Sequence, residues 1–458
     1  MILLHNATIV TAAKEGTGTV LLEGDSISKI IWKEADGSAD CMNCMFEDIP
    51  KAFPEAETVD LSGKHLMAGG IDAHVHFREP GLTHKADMAT ESRAAAAGGV
   101  TTVFDMPNTS PATIDAAALK GKMEIAKEKS LIKTGFHIGA TNSNAGMICK
   151  LVKDGDTVTG VKASDIPGVK VFMGSSTGNM LVDEGSSLEK LFAIKEKPVL
   201  VHCEDEAIIK ANLAAAIERF GEDIPFEEHE NIRSRQACIR TSIKALEMAM
   251  KHGTRLVLCH ISTKEELNMV RAAKDMNPEI CAETSCNYLW FSNEDYSRLG
   301  SRMKCNPAVK TAADRQALRD GLKNGLIDTI GSDHAPHLLS EKDAPYTKAP
   351  SGLPSIQQTL PVLLTVAKQE DIPLTRIASV FSEKASRVYG LDRGRIAPGM
   401  KADLVVFDYD RQFTVKAEDQ YSKCGWTPYE GETLNGFIET VYINGQTVLE
   451  NGRITKLS

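Results

Sequence analysis

From about Val59 to Leu391 the chain alternates short apolar strands with helical patterns, and no other feature narrows its fold as much. The strand candidates are Leu66–Phe77, Thr101–Met106, Thr134–Gly139, Val169–Met173, Val199–Cys203, Leu256–His260, Glu279–Thr284 and Leu326–Ile330. Helix-like segments separate most of them. His84 to Ala97 is alanine-rich and stops at Gly98-Gly99, a C-terminal glycine signal. Ser262-Thr263-Lys264-Glu265 has the form of a capping box and predicts a helix running through Lys274. Repeated β/α units of this length predict an α/β fold, a TIM-type (β/α)8 barrel with its chemistry at the C-terminal ends of the strands. A doubly wound open sheet is the alternative that strand periodicity leaves open.

The flanks read differently. Ile2 to Ile31 alternate in the β sense, with Gly16-Thr17-Gly18 and Glu23-Gly24-Asp25 as the expected turns. Residues 36–57 are polar and irregular, which predicts a surface excursion. The far end returns to β character at Ala402 to Phe407, Thr440 to Ile443 and Thr447 to Leu449, with Asn444-Gly445 as a hairpin pair. The expected organisation is therefore a small β-sandwich-like domain from residues 1–58 plus 392–458, beside a metal-dependent barrel spanning 59–391. No internal sequence repeat is evident.

Composition excludes several partner classes. Of 458 residues, 42% are hydrophobic and 25% charged, as in ordinary globular proteins, and the formal net charge is −10. That sign argues against nucleic acid or an anionic membrane surface, and an anionic substrate would need local basic groups. No secretory leader pattern or membrane-length apolar run is read in the sequence, so the expected setting is cytoplasmic. The ten cysteines include one close pair, Cys41 and Cys44, without a second pair at zinc-site spacing. Reduced thiols are the better reading.

Chemistry concentrates at the predicted strand ends. In Gly69-Gly70-Ile71-Asp72-Ala73-His74-Val75-His76-Phe77-Arg78-Glu79-Pro80-Gly81 the two histidines stand two apart, so a strand turns both imidazoles to one face. Alone, such a pair also fits two core histidines satisfied by their neighbours. His202 closes the run Pro198-Val199-Leu200-Val201, His260 closes Arg255 to Cys259, and Asp333 follows the last strand, with Lys170 in the fourth. Four histidines and a carboxylate at one end of a barrel favour a divalent metal over separate structural roles. Imidazole and carboxylate ligands suit Zn²⁺, with Mn²⁺ or Co²⁺ as substitutes.

The chain resembles the cyclic-amidohydrolase branch of the amidohydrolase superfamily, and within it the dihydroorotase family. The matching text is residues 69–81, Ala-Ala-Gly-Gly-Val-Thr-Thr at 96–102, Asp-Met-Pro-Asn-Thr at 105–109 and Val-His-Cys-Glu at 201–204. It continues with Asn306-Pro307, Ser-Asp-His-Ala-Pro-His at 332–337 and Cys-Gly-Trp-Thr-Pro-Tyr-Glu-Gly at 424–431, in family order across nearly the whole chain. The resemblance implies two metals per chain bridged by an N6-carboxylated Lys170. The first would take His74, His76, Lys170 and Asp333, and the second Lys170, His202 and His260. Some members bridge with an aspartate instead, and Asp165 and Asp183 flank Lys170 here.

The resemblance further implies reversible hydrolysis of dihydroorotate to N-carbamoyl-L-aspartate in pyrimidine biosynthesis, with Asp333 as the catalytic proton shuttle. Arg78 can fork the substrate carboxylate, and by resemblance Asn108 and His337 join it, with His76 beside the substrate. Asn306 and the Ser351-Gly352 backbone would meet the ring amide. The partner is a small molecule, and a homo-oligomer is compatible with the sequence. Two rival readings are another cyclic-amide hydrolase (allantoinase, hydantoinase or dihydropyrimidinase) and a non-catalytic scaffold, which would be expected to have lost ligands.

Overall fold

The computed structural model describes residues 1–42, 44–174 and 180–455. It is an α/β structure with one nine-stranded sheet and two parallel arcs. The nine-stranded sheet unites both ends of the chain. Its strands are β1 (Ile2–Val10), β2 (Glu15–Glu23), β3 (Ser26–Trp32), β4 (Glu57–Asp60) and β5 (His65–Ala68), with β15 (Leu404–Thr414), β16 (Thr433–Ile443), β17 (Gln446–Glu450) and β18 (Arg453–Ile454). The Asn444-Gly445 hairpin forms as expected, both residues at positive φ between β16 and β17. Gly16-Thr17-Gly18 is not a turn: these residues lie inside β2, paired with β1. The turn comes earlier, where Thr11 Oγ1 accepts from Lys14 N at 2.9 Å.

The parallel arcs carry the site. One comprises β6 (Gly70–Val75), β7 (Val100–Asp105) and β8 (Lys133–Phe136). The other runs β9 (Ile138–Gly139), β10 (Val169–Gly174), β11 (Val199–Glu204), β12 (Leu256–Leu258), β13 (Cys281–Thr284) and β14 (Thr329–Ile330). All described neighbours within the arcs are parallel. Strands β6, β7 and β11 are buried at every residue, which is why they read as continuous apolar runs rather than alternating ones. Between the outermost strands of the two arcs, Val75 bridges His334 in parallel and His76 N donates to His334 O at 2.8 Å. The Asp72 carboxylate ties the same two segments, accepting from His74 N at 3.0 Å and Ser332 N at 3.1 Å.

Two expected strands are broken. Leu66–Phe77 divides at Gly69, because β5 pairs with β1 and β15 in the nine-stranded sheet whereas β6 pairs with β7. Gly69 N donates to Asp403 O and the next residue, Gly70, to Gly99 O, both at 2.9 Å. The hand-off demands glycine: a Cβ on Gly69 would lie 2.4 Å from the Thr101 side chain, and one on Gly70 2.3 Å from the Phe381 ring. Thr134–Gly139 likewise splits into β8 and β9 around His137, whose Nε2 lies 3.0 Å from Ala73 O.

Two helix starts also shift. The helix expected from His84 is Met88–Ala97, capped by Asp87, which accepts from Thr90 N at 3.0 Å. Residues 81–87 instead form a turn that delivers Lys85 to the site, with Lys85 N bonded to Leu82 O. The capping box near residue 262 is Thr263 with Glu266, one residue beyond the expected register, and its helix runs Lys264–Met276. No helix among the described residues is long and apolar enough to cross a membrane.

Candidate active site

A cavity of about 410 Å³ opens at the C-terminal ends of the parallel strands. His74, His76, Lys170, His202, His260 and Asp333 line it, as do Arg78, Asn108, Asn306, His337, Ser351 and Gly352. Every residue expected to bind metal, touch substrate or move a proton is therefore brought to one place. Asp165 and Asp183 are not: Asp165 accepts from Lys162 N at 2.8 Å, and Asp183 accepts from Asn142 Nδ2 at 2.8 Å on the exposed side. Cys41 is exposed, and all ten cysteines carry free thiols.

Strand geometry sets the floor of the cavity. His74 sits near the end of β6 and His76 just past it, their ring centroids 5.7 Å apart. Asp333 Oδ1 lies 3.1 Å from His76 Nε2 and 3.5 Å from His74 Nε2. Across the floor, His202 Nδ1 and His260 Nε2 face one another at 2.9 Å. Three of the site residues have left-handed backbones: Arg78 at φ 67°, His260 at 38° and Asp333 at 50°. Non-glycine residues in that region cost about 1–3 kcal/mol each, and here the turn at each strand end swings the side chain into the cavity.

Each ring is oriented from behind. His76 Nδ1 lies 2.8 Å from Asn108 Oδ1, and His74 Nδ1 lies 2.8 Å from Glu283 Oε1. Both partners accept, so Nδ1 carries the proton and each Nε2 lone pair points toward Asp333. Glu204, two residues beyond His202 on the same face of β11, places Oε2 3.0 Å from His202 Nε2 and pairs with Arg233. Gly331 must be glycine for this packing, since a Cβ would meet the Glu283 carboxyl at 2.7 Å and His74 Cβ at 2.8 Å. Lys170 is fully buried, with its Nζ 3.4 Å from Cys259 Sγ.

Electrostatics favour lone pairs on the rings and a negative charge on Asp333. Burial, joined by the Lys170 charge, holds His74 well below the ordinary histidine range, burial does the same for His260, and burial lowers His202 against the opposing pull of Glu204. For Asp333 burial works the other way, and what holds the carboxyl below its usual range is any proton shared with His74 and His76, whose Nε2 atoms face it. Burial pushes the Glu283 carboxyl up to about 7 against the pull of Lys170. The donor atoms of His74, His76 and Asp333 all lie within 4.8 Å of one another. Neutral imidazoles, an anionic carboxylate and a lysine beside them are a donor set that fits divalent metal.

Glu283, Glu204, Arg233 and Lys85 have no role in the sequence reading. The first two were visible as carboxylates inside apolar strands, an unusual placement in itself. Lys85 gave no signal beyond sitting in a polar turn.

Comparison with known proteins agrees with this geometry. The Amidohydrolase family profile matches residues 65–448. The dihydroorotase of Methanosarcina acetivorans is 35% identical over 385 residues, covering 81% of this chain and 79% of that protein. The allantoinase of Desulfitobacterium hafniense strain DCB-2 is 32% identical over 410 residues, covering 87% and 88%. Among solved structures, the L-hydantoinase (dihydropyrimidinase) of Arthrobacter aurescens superposes with a TM-score of 0.88 at 25% identity, covering 99% of this chain and 97% of that one.

Proposed function

The chain belongs to the amidohydrolase family and is a hydrolase of cyclic amides; from that premise we propose that its substrate is dihydroorotate, opened reversibly to N-carbamoyl-L-aspartate in pyrimidine biosynthesis. The observation that carries the reading is the cationic wall of the cavity. Arg78 Nε donates to Pro336 O at 3.1 Å, while its Nη2 lies 2.9 Å from His337 Nε2 and Lys85 stands behind His337. In a chain of net charge −10, such a wall favours an anionic substrate. Dihydroorotate carries a ring carboxylate; hydantoin, dihydrouracil and allantoin do not.

We propose the residues 1–58 and 392–458 as the β-domain and 59–391 as a closed (β/α)8 barrel, with β5 reaching across. His74, His76, Lys170 and Asp333 would hold one metal and Lys170, His202 and His260 the other, with Lys170 carboxylated. When bound, two divalent ions, zinc by preference and manganese or cobalt as substitutes, would polarise the ring amide carbonyl and acidify water.

The chain's own residues do the rest. Arg78, with Asn108 and His337, holds the substrate carboxylate and so fixes the ring over the histidines. Asn306 and the Ser351-Gly352 backbone hold the ring amide. Asp333 Oδ1, set between His74 and His76, takes the proton of the attacking water and gives it to the departing ring nitrogen. In the ring-closing direction Asp333 takes a proton from the ureido nitrogen instead. The allantoinase relative makes allantoin the second reading. A turnover panel of dihydroorotate, hydantoin, dihydrouracil and allantoin, run with metal analysis on the purified chain, decides between them. Preference for allantoin or any other neutral ring would overturn the proposal.

A further inference from the structure

His337 is held by three groups that cannot all be satisfied by one neutral imidazole. Lys85 Nζ lies 3.0 Å from Nδ1, Ser351 O lies 3.1 Å from Nε2, and Arg78 Nη2 lies 2.9 Å from the same Nε2. Ammonium and guanidinium groups only donate, and a carbonyl oxygen only accepts. With its proton on Nε2, His337 accepts from Lys85 and donates to Ser351 O, leaving only the Arg78 contact unmade. With its proton on Nδ1, it accepts from Arg78, but Lys85 and Ser351 O both lose their bonds. The first tautomer satisfies two contacts and the second only one.

Lys85 is itself anchored as a cation. Its Nζ lies 2.9 Å from Glu341 Oε1, and Glu341 Oε2 accepts from Leu338 N at 3.0 Å, one residue beyond His337. Burial and the nearby charges of Arg78 and Lys85 keep His337 well below the ordinary histidine range, so the ring is neutral and the tautomer question is real. The outcome leaves two N–H donors, Arg78 Nη2 and His337 Nε2, side by side on the cavity wall, neither able to accept from the other. An oxygen that accepts from Arg78 and shares the Nε2–H with Ser351 O, as the second acceptor of a bifurcated bond, satisfies the wall.

We propose that Lys85 is a positioning residue that fixes His337 as its Nε2–H tautomer and thereby turns it into a second donor, beside Arg78, for the carboxylate of the substrate. This rests on the dihydroorotate reading and adds to it the residue that makes the wall selective for an anion. Lys85 lines the same cavity, and its part is to deny the proton to Nδ1.

The test is long-range ¹⁵N–¹H correlation spectroscopy on histidine-labelled protein, with His337 assigned by its loss in His337→Gln, combined with kinetics. The wild-type ring is expected to show the Nε2–H pattern. Lys85→Met should shift it toward Nδ1–H or a mixture and raise KM for dihydroorotate about tenfold, the loss of one hydrogen bond to a charged group, with the loss falling on KM rather than kcat. Lys85→Arg, which still donates, should restore both. A wild-type Nδ1–H pattern, or a Lys85→Met protein with unchanged tautomer and KM, overturns the proposal. The spectroscopic arm stands apart from turnover: a protein that ignores dihydroorotate but shows the Lys85-dependent Nε2–H pattern sinks the substrate reading and supports the tautomer assignment.

Discussion

His74 Nδ1 lies 2.8 Å from Glu283 Oε1, and both side chains are buried. The carboxylate comes from β13 and the imidazole from β6, strands on different arcs, so the contact fixes the ring across the top of the sheets. Partners of this kind typically contribute about 10–100-fold to metal affinity. Glu283→Met, similar in length but unable to accept, is expected to weaken metal binding by that factor while the chain stays folded. Competition against a chelator measures it, and unchanged affinity would mean that packing alone orients His74.

A second buried pair supports the Arg78 side. Lys122 pairs with Asp105 and donates to Met106 O at 3.1 Å, while Asp105 Oδ1 accepts from Phe77 N at 2.7 Å. The pair therefore pins the start of the loop bearing Arg78 to the end of β7, two residues before Pro107-Asn108. Removing one partner of such a pair strands a charge and costs about 3–5 kcal/mol. Lys122→Met should lower the denaturation midpoint accordingly, and Asp105→Leu combined with it should recover part of the loss. If the double variant were no better than the single, the cost would come from packing rather than from the stranded carboxylate.

The strands and the histidines were legible because burial on both faces leaves a parallel strand nothing to alternate, and a histidine ending such a run stands out. The breaks at Gly69 and His137 were not, since nothing local records which sheet a strand joins. Residues Leu66 to Ala68 look the same whether they pair with Thr102 or with Val405, and only the assembled chain decides. The partners that orient the ligands were hidden for a related reason. Glu283 acquires meaning only when His74 arrives beside it from a strand some two hundred residues earlier, whereas Glu204 stands beside His202 on one strand and is completed by Arg233. Lys85 was least visible of all, because its role lies in which ring nitrogen it faces.

The segment that carries Ser351 and Gly352 hangs on two lysines. Lys342 Nζ donates to Pro350 O at 2.9 Å and Gly352 O at 3.1 Å, and Lys304 Nζ to Tyr346 O at 2.6 Å and Ala349 O at 2.7 Å. Burial pushes Lys342 down to about 7 from 10.5 and Lys304 to about 8. Between pH 7 and 10.5 the unfolded chain thus binds a proton at Lys342 that the folded chain has released, so this group makes stability rise with pH across that window. Below about 7 both states hold the proton and the slope vanishes. One group releasing fully contributes up to about 1.4 kcal/mol per pH unit. The difference in unfolding free energy between wild type and Lys342→Met, followed from pH 6 to 10, should show this slope; parallel curves would mean that Lys342 stays charged throughout.

Lys170 bears on the chemistry most directly. Its side chain is fully buried in β10, its Nζ lies 5.2 Å from the Phe172 ring centre, and it meets the Cys259 thiol at 3.4 Å. Among the described residues it has no carboxylate within ion-pair distance, which is a costly way to bury an ammonium. Addition of CO₂ to the neutral amine forms one N–C bond and releases one proton. The product would be an anion able to serve as a ligand to metal held by His74 and His76 and to metal held by His202 and His260. Lys170→Ala is therefore expected to lose both metals and to lower turnover by more than about 100-fold, since it removes a ligand rather than a ligand's partner. A short carboxylic acid supplied with the metal should restore part of each, because it replaces the carbamate without needing the amine. In the wild type, ¹³C-bicarbonate should yield a carbamate resonance that is absent from the variant. A Lys170→Ala protein that retains two metals and full turnover would remove the lysine from the centre, and since Asp165 and Asp183 are both engaged away from the cavity, the bridging ligand would then have to be sought in Glu283 or Cys259.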